Sequence, residues 1–258
     1  MPLVIISGHR GGTGATTVVS NLAAALQRTG LQTLSIDLHP DNQLSLHYGV
    51  DQQLMTGWAQ TSVSGADWKQ CGFQAADGRR VLPFGDVPSY QYAQFRDGLR
   101  ETVSTMADTL SSPTEDWLLF DMPVIRHHAL ADNVIADVYV RLIALADINL
   151  HVISPDLGCY RLLKQAALNG DALSDKQFYL VNGADTHSPL SLDIALLLES
   201  EFSNQVLPVS IHKDTAVAEA AAHMTSVTAY MPDSQAADDF HALALWSLGR
   251  VGKGSVGA

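Results

Sequence analysis

A chain of 258 residues can bury a large core in one α/β domain, expected here over residues 1–250 with a flexible tail at 251–258. Its net charge of −12, from 15 Lys plus Arg against 27 Asp plus Glu, sets the long-range field against a phosphate backbone and argues against nonspecific nucleic-acid binding. Although 47% of residues are hydrophobic and the mean hydropathy is +0.07, no apolar run reaches the ~18 residues of a membrane span.

From the N-terminus, Met1 and Pro2 lead directly into Val4-Ile5-Ile6, a β-branched run that predicts a strand buried on both faces and leaves no room for a cleavable leader. A cytoplasmic protein is therefore expected. Gly11, Gly12 and Gly14 follow in a turn whose successive N–H groups can converge on one anion. Val19, Leu22, Ala23 and Leu26 then fall at helical spacing, which places a helix N-terminus beside the same anion. Thr16 and Thr17 open that helix, where one hydroxyl can ligate a metal ion and the other a phosphate oxygen. Taken alone, the turn also fits a tight βα connection that holds no ligand. Against the pattern G-x-x-x-x-G-K-[ST], His9 occupies the first glycine and Ala15 the lysine.

A second strand, 31–37, ends on Asp37, which should face the phosphate site because ligands of open α/β sheets lie beyond the carboxyl ends of the strands. The loop His39-Pro40-Asp41-Asn42 and an amphipathic piece through Leu44, Leu46 and Tyr48 come next. Residues 53–75, with Trp58 and Trp68, read as irregular and packed on the surface. A strand is expected at 80–85 and a polar helix at 90–110, before the buried run Trp117–Phe120 that ends in Asp121-Met122-Pro123. A carboxylate at that strand end can hold a water of a magnesium ion. Helices about 129–145, 158–168, 190–201, 214–223 and 233–249 and strands 148–154, 178–182 and 206–211 complete a βα alternation, which predicts a mostly parallel sheet covered on both faces. Cys71 and Cys159 lack metal or disulfide spacing and are expected to be buried free thiols, while the histidines, including His127-His128, read as surface or helix-start residues.

With the turn, Asp37 and Asp121 in place, the chain resembles the deviant Walker A ATPases of the MinD/ParA type, whose signature is G-K-G-G-x-G-K-T-T. Arg10 stands where that signature has its first lysine; Gly11, Gly12, Gly14, Thr16 and Thr17 match; Ala15 replaces the second lysine. The D-x-D-P segment appears as Asp37-Leu38-His39-Pro40, Asp121 matches the Walker B aspartate, and Asn182 matches the asparagine that reads adenine. Ile211 to Ala220 is similar to the late loop and helix that close over the base. Within that group the chain is most similar to BcsQ-type cellulose-biosynthesis proteins, through Arg10-Gly11-Gly12, His39 to Asn42, Gly57-Trp58-Ala59 with Gly65 to Trp68, Leu82 to Gly85 and Ile211 to Asp214.

The resemblance implies a P-loop NTPase fold of the MinD/ParA type and the cofactors ATP and Mg²⁺. Nucleotide-binding roles carry over to Arg10, Gly11, Gly12, Thr13, Gly14, Ala15, Thr16, Thr17, Asn182, Ile211, Lys213 and Asp214, metal-binding roles to Thr16 and Asp121, and catalytic roles to Asp37 and Asp121. It further implies a homodimer that sandwiches two ATP molecules, with Arg10 reaching the nucleotide of the opposite subunit. The expected partners are the cellulose synthase and small cytosolic accessory proteins, with peripheral association at the inner membrane through those partners and no nucleic acid. With Ala15 for lysine and His39 for aspartate, hydrolysis should be slow at most. Two other functions remain open. One is an active ATPase that positions a membrane or DNA cargo, against which the acidity and the missing lysine argue. The other is an iron–sulfur reductase, which would need cysteines near the nucleotide-sensing loops.

Overall fold

The computed structural model describes residues 2–51, 53, 56–110, 117–124, 134–168 and 175–254. Among these described residues eight strands form one sheet: β1 (Leu3–Gly8), β2 (Thr33–Asp37), β3 (Phe73–Gln74), β4 (Arg80–Leu82), β5 (Trp117–Met122), β6 (Ile148–Ile153), β7 (Gln177–Ala184) and β8 (Val206–His212), in the order β3-β4-β2-β5-β1-β6-β7-β8. All pairs are parallel except β3 with β4. The helices are α1 (Ala15–Arg28), α2 (Trp58–Ser64), α3 (Tyr92–Leu110), α4 (Val134–Leu145), α5 (Leu157–Leu168), α6 (Pro189–Glu201), α7 (Thr215–Ala222), α8 (Val227–Tyr230) and α9 (Gln235–Gly254). No described helix is long and apolar enough to cross a membrane.

Alternation along β1 divides the core. Val4 and Ile6 meet Val19, Leu22, Phe240 and Leu243 of α1 and α9, whereas Leu3 and Ile5 meet Leu99, Val103, Val138 and Leu142 of α3 and α4. A third cluster joins Ile153, Tyr179 and Val181 to Cys159, Leu163, Ile194 and Leu198 of α5 and α6. The chain leaves β1 towards β2 on one side and returns through β6, β7 and β8 on the other, so β1 sits at the point where the strand order reverses. Crevices form at such points, beyond the carboxyl ends of the strands.

The structure departs from the sequence-based expectations in the 53–75 stretch, which is ordered into α2, a 3-10 turn over Trp68–Cys71 and β3. The N–H groups of Trp58 and Ala59, which open α2, donate to the carbonyls of Pro83 and Phe84 at 3.0 Å each, and the Trp58 side chain is fully buried. For the same reason β4 stops at Leu82 rather than at 85: the N–H groups of Phe84 and Gly85 turn to Asn42 Oδ1, at 3.0 and 3.4 Å, instead of to a strand. Helix α9 runs on to Gly254 through the first residues of the expected tail, and α8, capped by Ser226, was not foreseen. His127 and His128, the expected start of α4 and residues 255–258 lie outside the described residues. Cys159 is buried and Cys71 is half-buried.

A buried arginine joins the layers. Arg79 bonds Asp77 Oδ2 at 2.7 Å, Ser20 Oγ of α1 at 2.6 Å and the carbonyl of His47 at 3.0 Å, and it lies over the Tyr48 ring at 4.5 Å. Five donors in one rigid plane can satisfy three directions at once, so α1 and the 3-10 turn Leu44–Tyr48 are held to the β3–β4 hairpin. At the outer margin, β8 carries the exposed Pro208.

Candidate functional site

The strand-to-helix turn between β1 and α1 is held from three sides. The His9 N–H donates to the carbonyl of Val152 at 2.9 Å, the buried Thr13 hydroxyl donates to the carbonyl of Arg10 at 3.2 Å, and Asn182 Nδ2 donates to the carbonyl of Thr13 at 2.7 Å. Gly12 and Gly14 have φ of +81° and +87°, and a Cβ at Gly14 would sit 2.5 Å from Asn182 Nδ2, so no other residue fits there without moving the asparagine. Gly14 opens α1 with no side-chain cap, and no acidic residue occupies the first turn. The positive end of the helix is thus directed at the glycine turn, the arrangement that binds phosphates.

Asp37 and Asp121 are register neighbours on β2 and β5, and both are buried. The two Asp37 oxygens are engaged by its own loop, Oδ1 by the His39 N–H at 2.8 Å and Oδ2 by the Leu44 N–H at 3.2 Å, while its carbonyl accepts from Trp58 Nε1 at 2.7 Å. Burial, reinforced by the charge of Asp121, pushes the Asp37 carboxyl well above the ordinary range despite those bonds. Burial also pushes Asp121 up to about 7, against a hydrogen bond from Thr16 that lowers it. Asp121 Oδ2 is buried without a hydrogen-bond partner among the described residues. An orphaned carboxylate oxygen beside a helix-opening hydroxyl is a donor set of hard oxygens that suits Mg²⁺, and it needs no cluster of His, Cys, Asp and Glu, of which none occurs among the described residues.

Arg10 lies on the rim, bonded to Asp156 Oδ2 at 2.5 Å and to the carbonyl of Gly11 at 3.0 Å. The bond to Asp156 raises the Arg10 pKa; burial pushes Asp156 up, but the N–H of Cys159 and the Arg10 guanidinium pull it below the usual carboxylate range. Asp156 was missed in the sequence, although it follows the end of β6 much as Asp37 ends β2 and Asp121 stands one residue before the end of β5. Also missed was the group behind the turn, where His151 lies 3.1 Å from Ser7 Oγ, 3.3 Å from the Tyr139 hydroxyl and 3.2 Å from Asn149 Nδ2. Single histidines in strands carry no pattern that would have revealed it.

The structure thus brings residues 10–17 together with Asn182, Asp121 and Asp37. Asn182 holds the turn through its amide, and half-buried Ala15 packs against the core of α1. The late loop lies farther along the sheet, at the end of β8. There Ile211 is buried, Lys213 pairs with Asp185 at 3.0 Å while mostly exposed, and the Asp214 carboxylate caps α7 through the Ala216 N–H and also accepts from the Ala236 N–H that begins α9. The Asp214 oxygens are therefore already engaged by two helices.

Comparison with known proteins agrees with this geometry. The model of a family described as cellulose biosynthesis protein BcsQ matches residues 1–248. The cellulose biosynthesis protein BcsQ of Escherichia coli (strain K12) is 32% identical over 254 residues, covering 96% of this chain and 94% of that protein. Among solved structures, the cell division ATPase MinD of Pyrococcus furiosus superposes with a TM-score of 0.73 at 22% identity, covering 98% of each chain. The septum site-determining protein MinD of Pyrococcus horikoshii OT3, solved with Mg-ADP, gives 0.67 at 21% identity, covering 94% of this chain and 93% of that one. The fold is that of the MinD-type P-loop ATPases.

Proposed function

The chain belongs to the BcsQ family of cellulose biosynthesis proteins, and on that premise we infer that it is an ATP- and Mg²⁺-binding switch or scaffold, dimerised by nucleotide, that supports assembly of the cellulose secretion complex. The observation that carries the nucleotide half is the uncapped start of α1 facing the glycine turn, with the orphaned Asp121 oxygen beside Thr16. The Mg-ADP reported for the MinD of P. horikoshii supports the same ligand class. Thr16 would ligate Mg²⁺ directly and Asp121 through water, and the bound ion would neutralise phosphate charge. Backbone N–H groups of Gly11 to Thr16 would take the phosphate oxygens, and Asn182, Ile211, Lys213 and Asp214 would border the base.

Slow hydrolysis follows from the same residues. Ala15 offers no cation to the charge that moves in phosphoryl transfer, a term that is usually large. Each Asp37 oxygen already accepts an N–H of its own loop, burial favours the neutral carboxyl, and His39 supplies no carboxylate in addition, so water is poorly oriented there. Arg10 exchanges Asp156 for a phosphate of the opposite subunit's nucleotide, trading one anion for a more highly charged one that its planar fork can grip with two bonds. The resulting dimer persists and serves as a cytoplasmic platform, held at the inner membrane by the synthase and small accessory proteins.

Isothermal calorimetry with ATP and Mg²⁺ tests the reading. Micromolar affinity that Thr16→Ala abolishes supports it; no affinity of the parent protein for ATP or ADP overturns it. Sedimentation then separates the dimer claim, since Arg10→Ala should still bind ATP but remain a monomer.

A further inference from the structure

His39 stands two residues past the end of β2, in a loop that fixes what its ring can do. The Leu38 N–H donates to the carbonyl of Asp121 at 2.9 Å, the His39 N–H to Asp37 Oδ1 at 2.8 Å, and the Asn42 N–H back to the carbonyl of His39 at 2.9 Å. Asn42, in the left-handed region at φ +53°, accepts the N–H groups of Phe84 and Gly85 on its side-chain oxygen, and its carbonyl accepts from Ser45 Oγ at 2.7 Å. The ring itself is pinned at one nitrogen, because the Asp41 N–H donates to His39 Nδ1 at 3.2 Å.

A backbone N–H can only donate, so Nδ1 must keep its lone pair, and the proton of the neutral ring is on Nε2. Protonation would add a proton at Nδ1, where Asp41 Oδ2 lies 3.5 Å away, and would leave the Nε2–H as it was. In both charge states Nε2 is therefore a donor and never an acceptor. The side chain is 33% exposed, and Nε2 has no hydrogen-bond partner among the described residues.

Strand order decides what this donor meets. On the nucleotide reading given above, on which this inference rests, the base lies on the β7–β8 side of the glycine turn and Mg²⁺ lies between Thr16 and Asp121 of β5. The phosphates then run from β1 across β5, and the last of them comes to the adjoining ends of β5 and β2, where Asp121 and Asp37 are register neighbours. We propose that His39 is a terminal-phosphate donor, whose Nε2–H bonds an oxygen of the γ-phosphate and so makes the site prefer a nucleoside triphosphate to the diphosphate. A carboxylate in this place would repel that phosphate and could take a proton from water. The imidazole does the reverse, attracting the anion and offering water no base.

Calorimetry in Mg²⁺ with ADP and with a non-hydrolysable ATP analogue reads the preference. The parent should bind the analogue at least about tenfold more tightly than ADP. His39→Ala should lose most of that ratio while keeping its ADP affinity and melting temperature, and His39→Gln, whose amide supplies a donor at a similar reach, should restore much of it. A ratio that survives in the alanine variant overturns the proposal. So does an equal loss for both nucleotides, which would mean that the ring only supports the loop. Failure of the nucleotide reading looks different, since the parent then binds neither ligand and both proposals fall together. One part needs no nucleotide: long-range ¹H–¹⁵N correlation of the free protein should show a protonated Nε2 and an unprotonated Nδ1 in neutral His39, and the opposite tautomer overturns the assignment of the donor.

Discussion

Gly14 combines two constraints that act separately at most glycines, a positive φ and a neighbour where its Cβ would be. Gly14→Ala should therefore displace Asn182 and cost about 1–3 kcal/mol of stability for the backbone strain. The more telling loss should be of ATP affinity by calorimetry, since the turn would no longer present its N–H groups together. At Asp156, the Asn substitution keeps an acceptor for the N–H of Cys159 but removes the charge that holds Arg10. Asp156→Asn should tighten ATP-dependent dimerisation by roughly tenfold; unchanged sedimentation would show that the pair does not compete with phosphate. The glycine turn, Asp37, Asp121 and Asn182 were legible because each terminates a buried strand or lies within one turn of it. The engagement of both Asp37 oxygens was not, because it depends on the N–H groups of His39 and Leu44, and backbone donors leave no mark in a sequence.

At the scale of elements, the long alternating units were readable from β-branched runs and helical spacing, whereas α2 was not. Only Trp58 and Ala59 are buried along it, too few to impose a period, and its first N–H groups are satisfied by a distant strand end rather than by a local cap. Its stability is thus tertiary. Trp58 also packs edge-on against Phe84 at 5.2 Å and lies 5.9 Å from Phe95. Trp58→Ala should cost about 3–5 kcal/mol in denaturant unfolding. Trp58→Phe, which keeps the ring contacts and drops the bond to the Asp37 carbonyl, should cost about 1 kcal/mol. A larger penalty for Phe would show that this bond, rather than the packing, anchors the helix.

Across the whole molecule, half-buried His47 and buried Asp121 give opposite pH responses. Burial and the nearby Arg79 lower His47 from 6.5 to about 4, so between those values the unfolded chain binds more protons, and this contribution to stability is lost as pH falls. Burial raises Asp121 from 3.8 to about 7, so there the folded chain binds more protons, and that contribution is lost as pH rises. Relative to the parent without ligand, His47→Gln should gain stability as pH drops from 6.5 to 4, and Asp121→Asn should gain it as pH climbs through 7. Chemical denaturation at a series of pH values reads both, and curves parallel to the parent's would contradict the assignment. The acidity of the chain makes a further prediction: random duplex DNA should show no gel shift at physiological salt, and submicromolar, salt-sensitive binding would refute it.

The two margins of the sheet carry a last consequence. On one side β3 offers only two residues, and on the other β8 has Pro208, which has no N–H to donate to an incoming strand. Neither margin is a good template for another chain to add on by backbone pairing. Crowding many copies at one assembly site therefore carries little risk of their zipping into aggregates, and whatever joins them must do so through side chains at the loop ends or helix faces, where it can be undone.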